Sequence, residues 1–337
     1  MDRIRIGIIG AGSYGEAHAQ ALADHDDLQV VAASRNDAQA LQAFCERYTC
    51  RGYTDNAELL ADPEIDAVVI ATPHHLHTDL LLAAAAAGKH VLLEKPMAPT
   101  LPECRAIIDA VRQAGVKFMV GHVNHFARAY QTARQILDSG EVGEIVLGVS
   151  TMSKFWYEPN RRWWHLQRAT GGGMWMTAGI HCLDRLTWLV GAPVVSTSAS
   201  LSARFHDQDA DDGGMVFLRY ANGAAGTIIS VGYADGAPKH LTELTCTRAT
   251  LNVDYVNGVS IGRGERWEPV PDSGAANWMR GALVEEWQQF KTYLRTDGAP
   301  SPVSGEYAYH IMSVIFAAEE SSARGVEIPV PLEYPYA

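Results

Sequence analysis

The sequence predicts an α/β protein in two parts. The first is an N-terminal Rossmann domain with a doubly wound parallel sheet; the second is a C-terminal α/β domain on a large, mostly antiparallel open sheet. Three observations carry this. Gly10-Ala11-Gly12-Ser13-Tyr14-Gly15 follows the apolar run Ile4–Ile9 directly and opens into a helical stretch. Up to residue 123 apolar runs alternate with helical patterns, and beyond it strands follow one another. At 337 residues the chain also exceeds what one hydrophobic core usually supports. The expected division is 1–123 and 124–337.

In the glycine turn, Gly10 permits the tight bend, Gly12 lets main-chain N–H groups approach a diphosphate, and Gly15 lets helix and strand pack closely. The helix expected over 16–23 then offers its partial positive charge to the phosphates. A strand is expected over 28–34, a helix over 38–47, and a buried strand over 67–71 after the turn Asp62-Pro63-Glu64. Next come a helix over 78–87 stopped by Gly88, a strand over 90–93, a helix over 101–114 closed by Gly115, and a strand over 117–121. Such alternation implies right-handed crossovers, a parallel sheet, and ligands at the carboxyl ends of the strands. A linking helix over 127–139 leads to strands over 144–151, 194–203, 215–220, 224–232, 241–247 and 250–255. Ala221-Asn222-Gly223 is the hairpin signal between two of them. Helical patterns over 282–294 and 307–322 close the chain.

A formal net charge of -12 argues against a nucleic-acid groove and against anionic membranes. No apolar run reaches transmembrane length, and the chain starts at once on a core strand, so no signal peptide is expected. Five scattered cysteines without a CxxC pair fit reduced thiols, hence a cytoplasmic location.

Chemistry is expected at the strand ends. Thr72-Pro73-His74-His75-Leu76-His77 ends the third strand. Its tight spacing is not that of a zinc site, so no metal is expected, and contacts to the cofactor ribose or loop capping remain the readings. Glu94-Lys95-Pro96 emerges on the same rim as the glycine turn. Its ammonium is either solvated or placed to stabilise charge on a substrate oxygen. After Gly171-Gly172-Gly173, the residues Thr177, His181 and Asp184 are spaced to share one helical face. His181 suits general acid–base work, or is a core histidine. Cofactor choice turns on Ser34 and Arg35 after the second strand. No carboxylate stands there for ribose hydroxyls, and Arg35 suits a 2′-phosphate, which favours NADP(H) over NAD(H), although Asp37 lies close.

Together these motifs resemble the Gfo/Idh/MocA oxidoreductase family. The resemblance covers nearly the whole chain: Gly10–Gly15, Ala71-Thr72-Pro73 with His77, Ala87–Val91 running into Glu94-Lys95-Pro96, Gly171–Asp184, and the closing pattern around Gly305 and 317–325. It implies hydride transfer between NAD(P) and a hydroxyl carbon of a sugar, polyol or similar substrate. It also implies a C-terminal sheet that builds a homodimer or homotetramer. Lys95 matches the family's catalytic lysine, and His181 its proton-handling histidine. Thr177 stands where the family often has aspartate, and threonine supplies no charge to favour imidazolium. Asn124 joins the expected cofactor contacts together with Ser13, Tyr14, Thr72, Pro73, His74, His77 and Glu94. His125 either faces substrate or is structural.

Phe155-Trp156-Tyr157, Trp163-Trp164 and Trp175 read either as sheet packing or as a platform for a cyclic hydroxylated substrate. Arg161, Arg162 and Arg168 lie among them, suited to a substrate carboxylate. Two rival readings are a glycosidase that keeps its nicotinamide tightly bound, and a non-catalytic dinucleotide-binding sensor.

Overall fold

The computed structural model describes residues 3–156 and 162–335. Tyr157 and Arg161 lie outside the described residues.

By contact the chain forms two compact units. Met1–Val123 and Arg280–Tyr309 make one, and Asn124–Met279 with His310–Ala337 make the other. The expected second segment is therefore corrected: residues 280–309 return to the first unit. The reason lies in α8 (Trp278–Arg295), whose buried face belongs against the Rossmann layer. The Trp287 indole N–H donates to His18, Lys291 pairs with Asp27 at 3.0 Å, and the Val284 carbonyl meets the His25 ring at 3.1 Å. An amphipathic pattern shows that a helix has a partner surface, without showing which one.

The first unit's sheet comprises β1 (Ile4–Ile9), β2 (Leu28–Ser34), β3 (Arg51–Tyr53), β4 (Ala67–Ile70), β5 (His90–Glu94) and β6 (Phe118–Gly121). They lie in the order β3-β2-β1-β4-β5-β6, every pair parallel. Crossover helices α1 (Ser13–Leu22), α2 (Ala38–Tyr48), α3 (Asn56–Ala61), α4 (His77–Ala86) and α5 (Leu101–Ala114) cover it. Strands buried on both faces read as unbroken apolar runs, and Ile8, Val69 and Leu92 are wholly inaccessible. β3 and α3 escaped the sequence reading because Arg51-Gly52-Tyr53 has no apolar run. The strand order reverses between β1 and β4, which sets the ligand crevice at Gly10 and Ala71.

In the second unit, α6 (Arg128–Asp138) leads into a nine-stranded sheet. Its strands are β7 (Ile145–Phe155), β8 (Val194–Ser202), β9 (Gly213–Tyr220), β10 (Ala225–Tyr233), β11 (Lys239–Cys246), β12 (Thr250–Asp254), β13 (Gly258–Arg263), β14 (Arg266–Pro269) and β15 (Ile328–Pro329). The order is β14-β13-β12-β11-β7-β10-β9-β8-β15; only β7 and β10 pair in parallel. One face packs on α7 (Ile180–Val190), where Gly148 meets Leu186. The other presents Leu147, Met215 and Phe217 at 53%, 55% and 36% exposure, too apolar for a face evolved to meet water alone. No helix among the described residues is long and apolar enough to cross a membrane.

Candidate active site

On the first unit, the glycine turn has the shape its sequence requires. Gly10 adopts φ +93°, and its N–H and that of Ala11 both donate to the Ser34 carbonyl, tying the turn to the end of β2. A Cβ on Gly15 would stand 2.4 Å from the Gly10 carbonyl oxygen, whereas nothing lies within 4 Å of a Cβ position on Gly12. The space over Gly12, at the N-terminus of α1, is the cradle a diphosphate needs. Beside it, Tyr14 packs edge-on to His18.

At the end of β2 the expected pair separates. Ser34 is 1% exposed and its hydroxyl donates to Asn56 at 2.6 Å, which removes it from the phosphate-binding role expected of it. Arg35 remains, half-buried, with Nη1 donating to the Ala11 carbonyl at 3.0 Å. Asp37 caps α2 by accepting the Ala40 N–H, so the nearby carboxylate is committed to helix capping.

Two further expectations are corrected on this rim. His77 is inaccessible, its Nδ1 2.9 Å from the Pro96 carbonyl and its Nε2 3.0 Å from that of Thr72. It clamps the end of β4 to the Pro96 turn and does not touch a ribose. Burial lowers its titration against the pull of those carbonyls. His74 is buried too, its ring 5.9 Å from that of His77; Thr72 and Pro73 are half-buried. Glu94, expected at the cofactor, is buried and accepts from His18 Nε2 at 2.9 Å.

His18, Glu94 and Glu286 place ligand-type atoms within 4.8 Å of one another. The Trp287 indole can only donate, so His18 Nδ1 accepts from it at 3.1 Å and the imidazole proton sits on Nε2, toward Glu94. That tautomer offers the cluster a proton where a metal would need a lone pair. Burial, then the Glu94 charge, raises the Glu286 carboxyl well above its ordinary range. His18 and Glu286 were not singled out in the sequence, because α8 is distant along the chain from the glycine turn. In front of Glu94, Lys95 follows β5 half-buried, and the Lys95–Pro96 peptide is cis.

On the second unit, a five-residue π-helical turn, Trp175–Gly179, precedes α7. It adds a residue to that turn, and His181 and Asp184 follow it three positions apart within α7 itself. Asp184 is inaccessible and accepts from His125 Nε2 at 2.8 Å, and the His125 ring stacks on Trp188 at 4.4 Å. His125 is thus structural and corrects the substrate-facing reading. Thr177, half-buried, donates to the Gly171 carbonyl at 3.2 Å.

Asn124 is also corrected. It is 1% exposed, and its amide N–H groups point to the His181 carbonyl (3.2 Å) and to His181 Nδ1 (3.4 Å), so its side chain is bonded inward. Its Oδ1 accepts from the Tyr255 hydroxyl at 2.8 Å, and Tyr255 Oη in turn accepts from Arg185 Nη1 at 2.8 Å. Tyr255 and Arg185 were missed; neither stands in a motif, and Tyr255 reaches Asn124 from 131 residues away along the chain. Of the aromatic segment, Trp156 and Trp175 are buried, the latter donating to the Ile315 carbonyl, so neither is a platform. Trp163 is 65% exposed, Arg162 is exposed, and the Trp164 ring lies tilted against His165, centroids 3.6 Å apart.

Asp211 holds the π turn by accepting the Trp175 N–H at 2.8 Å. Burial raises its carboxyl to about 7, with Glu319 and Asp212 adding to the rise and the Trp175 N–H and Arg168 opposing it. Between about pH 4 and 7 the unfolded chain releases a proton that the folded one keeps, so this group's contribution favours folding below pH 4 and is lost as pH rises through 7. Asp211→Asn keeps an acceptor for Trp175 and is expected to remove this slope, raising stability at pH 8 by about 1–3 kcal/mol. Denaturant titrations from pH 4 to 8 check it.

Comparison with known proteins agrees with the topology. Residues 4–122 match the profile of the oxidoreductase family with an NAD-binding Rossmann fold, and residues 130–252 that of the GFO/IDH/MocA C-terminal domain. An uncharacterised oxidoreductase of Synechocystis sp. is 30% identical, with 94% of each chain covered. Levoglucosan dehydrogenase of Pseudarthrobacter phenanthrenivorans is 29% identical over 98% of this chain and 99% of its own. The crystal structure of an NAD-binding oxidoreductase from Klebsiella pneumoniae, 26% identical, superposes with a TM-score of 0.88 over 98% of this chain and 99% of the other.

Proposed function

This chain belongs to the Gfo/Idh/MocA oxidoreductase family, and on that premise we propose that it moves hydride between NADP(H) and a secondary hydroxyl or carbonyl of a cyclic hydroxylated substrate. The class embraces sugars, polyols, sugar acids and cyclic diols. The likeness to levoglucosan dehydrogenase supports a ring substrate. The observation that carries the reading is the open cradle over Gly12 at the switch point, on the strand-end rim that also bears Lys95. The nicotinamide, when bound, takes or gives the hydride.

The chain's own residues would orient the reacting oxygen and carry its proton, and Lys95 and His181 are the groups for that work. Trp163 and Arg162 remain the candidates for contact with substrate. The exposed apolar sheet face around Leu147, Met215 and Phe217 supports self-association as a homodimer or homotetramer, which light scattering reads directly.

Arg35 decides the cofactor, because Ser34 and Asp37 are engaged elsewhere. A screen of sugars, polyols, sugar acids and cyclic diols with each dinucleotide tests both parts. Turnover with NADP should exceed that with NAD, and Arg35→Ala should erase the preference, raising the KM for NADP about tenfold or more with little change for NAD. No reduction of either cofactor by any class would overturn the proposed function; a wild-type preference for NAD would overturn the cofactor assignment.

A further inference from the structure

Behind His181 runs a chain of hydrogen bonds whose sense is fixed at its far end. Arg185 is buried in the second unit, and among the described residues no carboxylate is bonded to it. Its Nε donates to Ser150 Oγ (2.7 Å), its Nη2 to the Thr151 carbonyl (2.7 Å) and its Nη1 to Tyr255 Oη (2.8 Å). A guanidinium has no acceptor to offer. Tyr255, whose phenol burial keeps protonated, therefore receives at its oxygen and sends its own proton to Asn124 Oδ1. That leaves the Asn124 amide nitrogen toward His181, an orientation independently required by its bond to the His181 carbonyl. Its second N–H then faces Nδ1, 3.4 Å away. A proton on Nδ1 would meet that N–H head-on.

We propose that Arg185, Tyr255 and Asn124 form a one-way donor chain that keeps the proton of neutral His181 on Nε2, so that His181 meets the substrate oxygen as a hydrogen-bond donor and not as the base. The proposal rests on the functional reading above and specifies its proton path. In oxidation a bound nicotinamide would take the C–H electron pair as hydride, and the substrate O–H would give up its proton. Because Nε2 already carries its proton, the substrate proton would need another acceptor, and on the functional reading above that is Lys95, which would take it as the neutral amine. In reduction, the Lys95 ammonium returns it. Arg185, Tyr255 and Asn124 are positioning residues here.

Long-range 15N–1H NMR of the whole protein reads the tautomer without substrate, His181→Asn identifying the resonance among 13 histidines. The wild type should show Nε2 protonated and Nδ1 bare. Asn124→Asp, whose carboxylate accepts a proton from Nδ1, should reverse this, and Tyr255→Phe, which frees Oδ1, should mix the two. A protonated Nδ1 in the wild type overturns the donor chain. So does an unchanged tautomer in both variants.

Kinetics then separate donor from base. His181→Asn, which still offers an N–H, should keep turnover within about tenfold, whereas His181→Ala should lose about a hundredfold. Lys95→Met should lose a thousandfold or more. If His181→Asn falls as far as Lys95→Met, the proton route is wrong. If the tautomer is as expected but no hydroxylated substrate turns over, the functional reading fails and the donor chain stands.

Discussion

Lys95→Met is expected to lower kcat by about 10³-fold or more while leaving dinucleotide affinity within a few-fold. Methionine keeps the length and apolar stem of lysine and removes only its proton chemistry and charge. Lys95 sits directly after β5, and the groups that fix that strand end remain: Glu94 bonded to His18, and the Pro96 carbonyl bonded to the His77 ring. The fold and the cofactor cradle therefore should not change. Fluorescence titration with NADPH and single-turnover hydride transfer measure the two quantities separately. A variant with near-normal turnover would remove Lys95 from the chemistry, and one that no longer binds NADPH would show that its contribution is to the cofactor alone.

Gly15→Ala should abolish dinucleotide binding by a different route. The added Cβ would stand 2.4 Å from the Gly10 carbonyl oxygen and 3.1 Å from Ile8 Cγ2. The first contact is backbone, so no side-chain rotation relieves it. Either α1 moves off β1 or the turn opens. Overpacking of this kind costs about 1–3 kcal/mol, and the displaced turn no longer aims its N–H groups. Affinity for NADPH should fall at least a hundredfold, with a drop in Tm of several degrees. Gly12→Ala is the control. Its Cβ meets no protein atom, so the apo protein should keep its Tm while the methyl obstructs the diphosphate. Calorimetry of binding and of unfolding distinguishes the two. Equal loss of Tm in both variants would contradict the assignment of Gly12 to the ligand and Gly15 to packing.

What could be read from the sequence is what local rules control. The parallel strands β1, β2, β4, β5 and β6 announce themselves because a strand buried on both faces must be an apolar run, and a run is local. Gly115 ends α5 in the left-handed conformation, and Gly10–Gly15 names its own turn, since only glycine fits those backbone angles and close approaches. Lys95 was identifiable because it stands at a strand end beside proline.

Tertiary structure alone decided which polar groups are already engaged. Ser34, His77, Glu94, Asn124 and His125 are residue types that bind ligands, and in the sequence nothing distinguishes a ligand-facing side chain from one bonded inward. Their partners, from Asn56 to Tyr255, lie up to 131 residues away. A hydrogen bond is satisfied in space, and the chain order carries no record of it. The same holds for the π turn before α7, which no local pattern announces, and for α8, whose apolar face is legible while the surface that receives it is not. The sequence by itself determined the strands, the glycine turn and the chemical types available at the rim. Only the folded arrangement determined which of them remain available to a ligand, because burial and pairing are properties of neighbours brought together from distant parts of the chain.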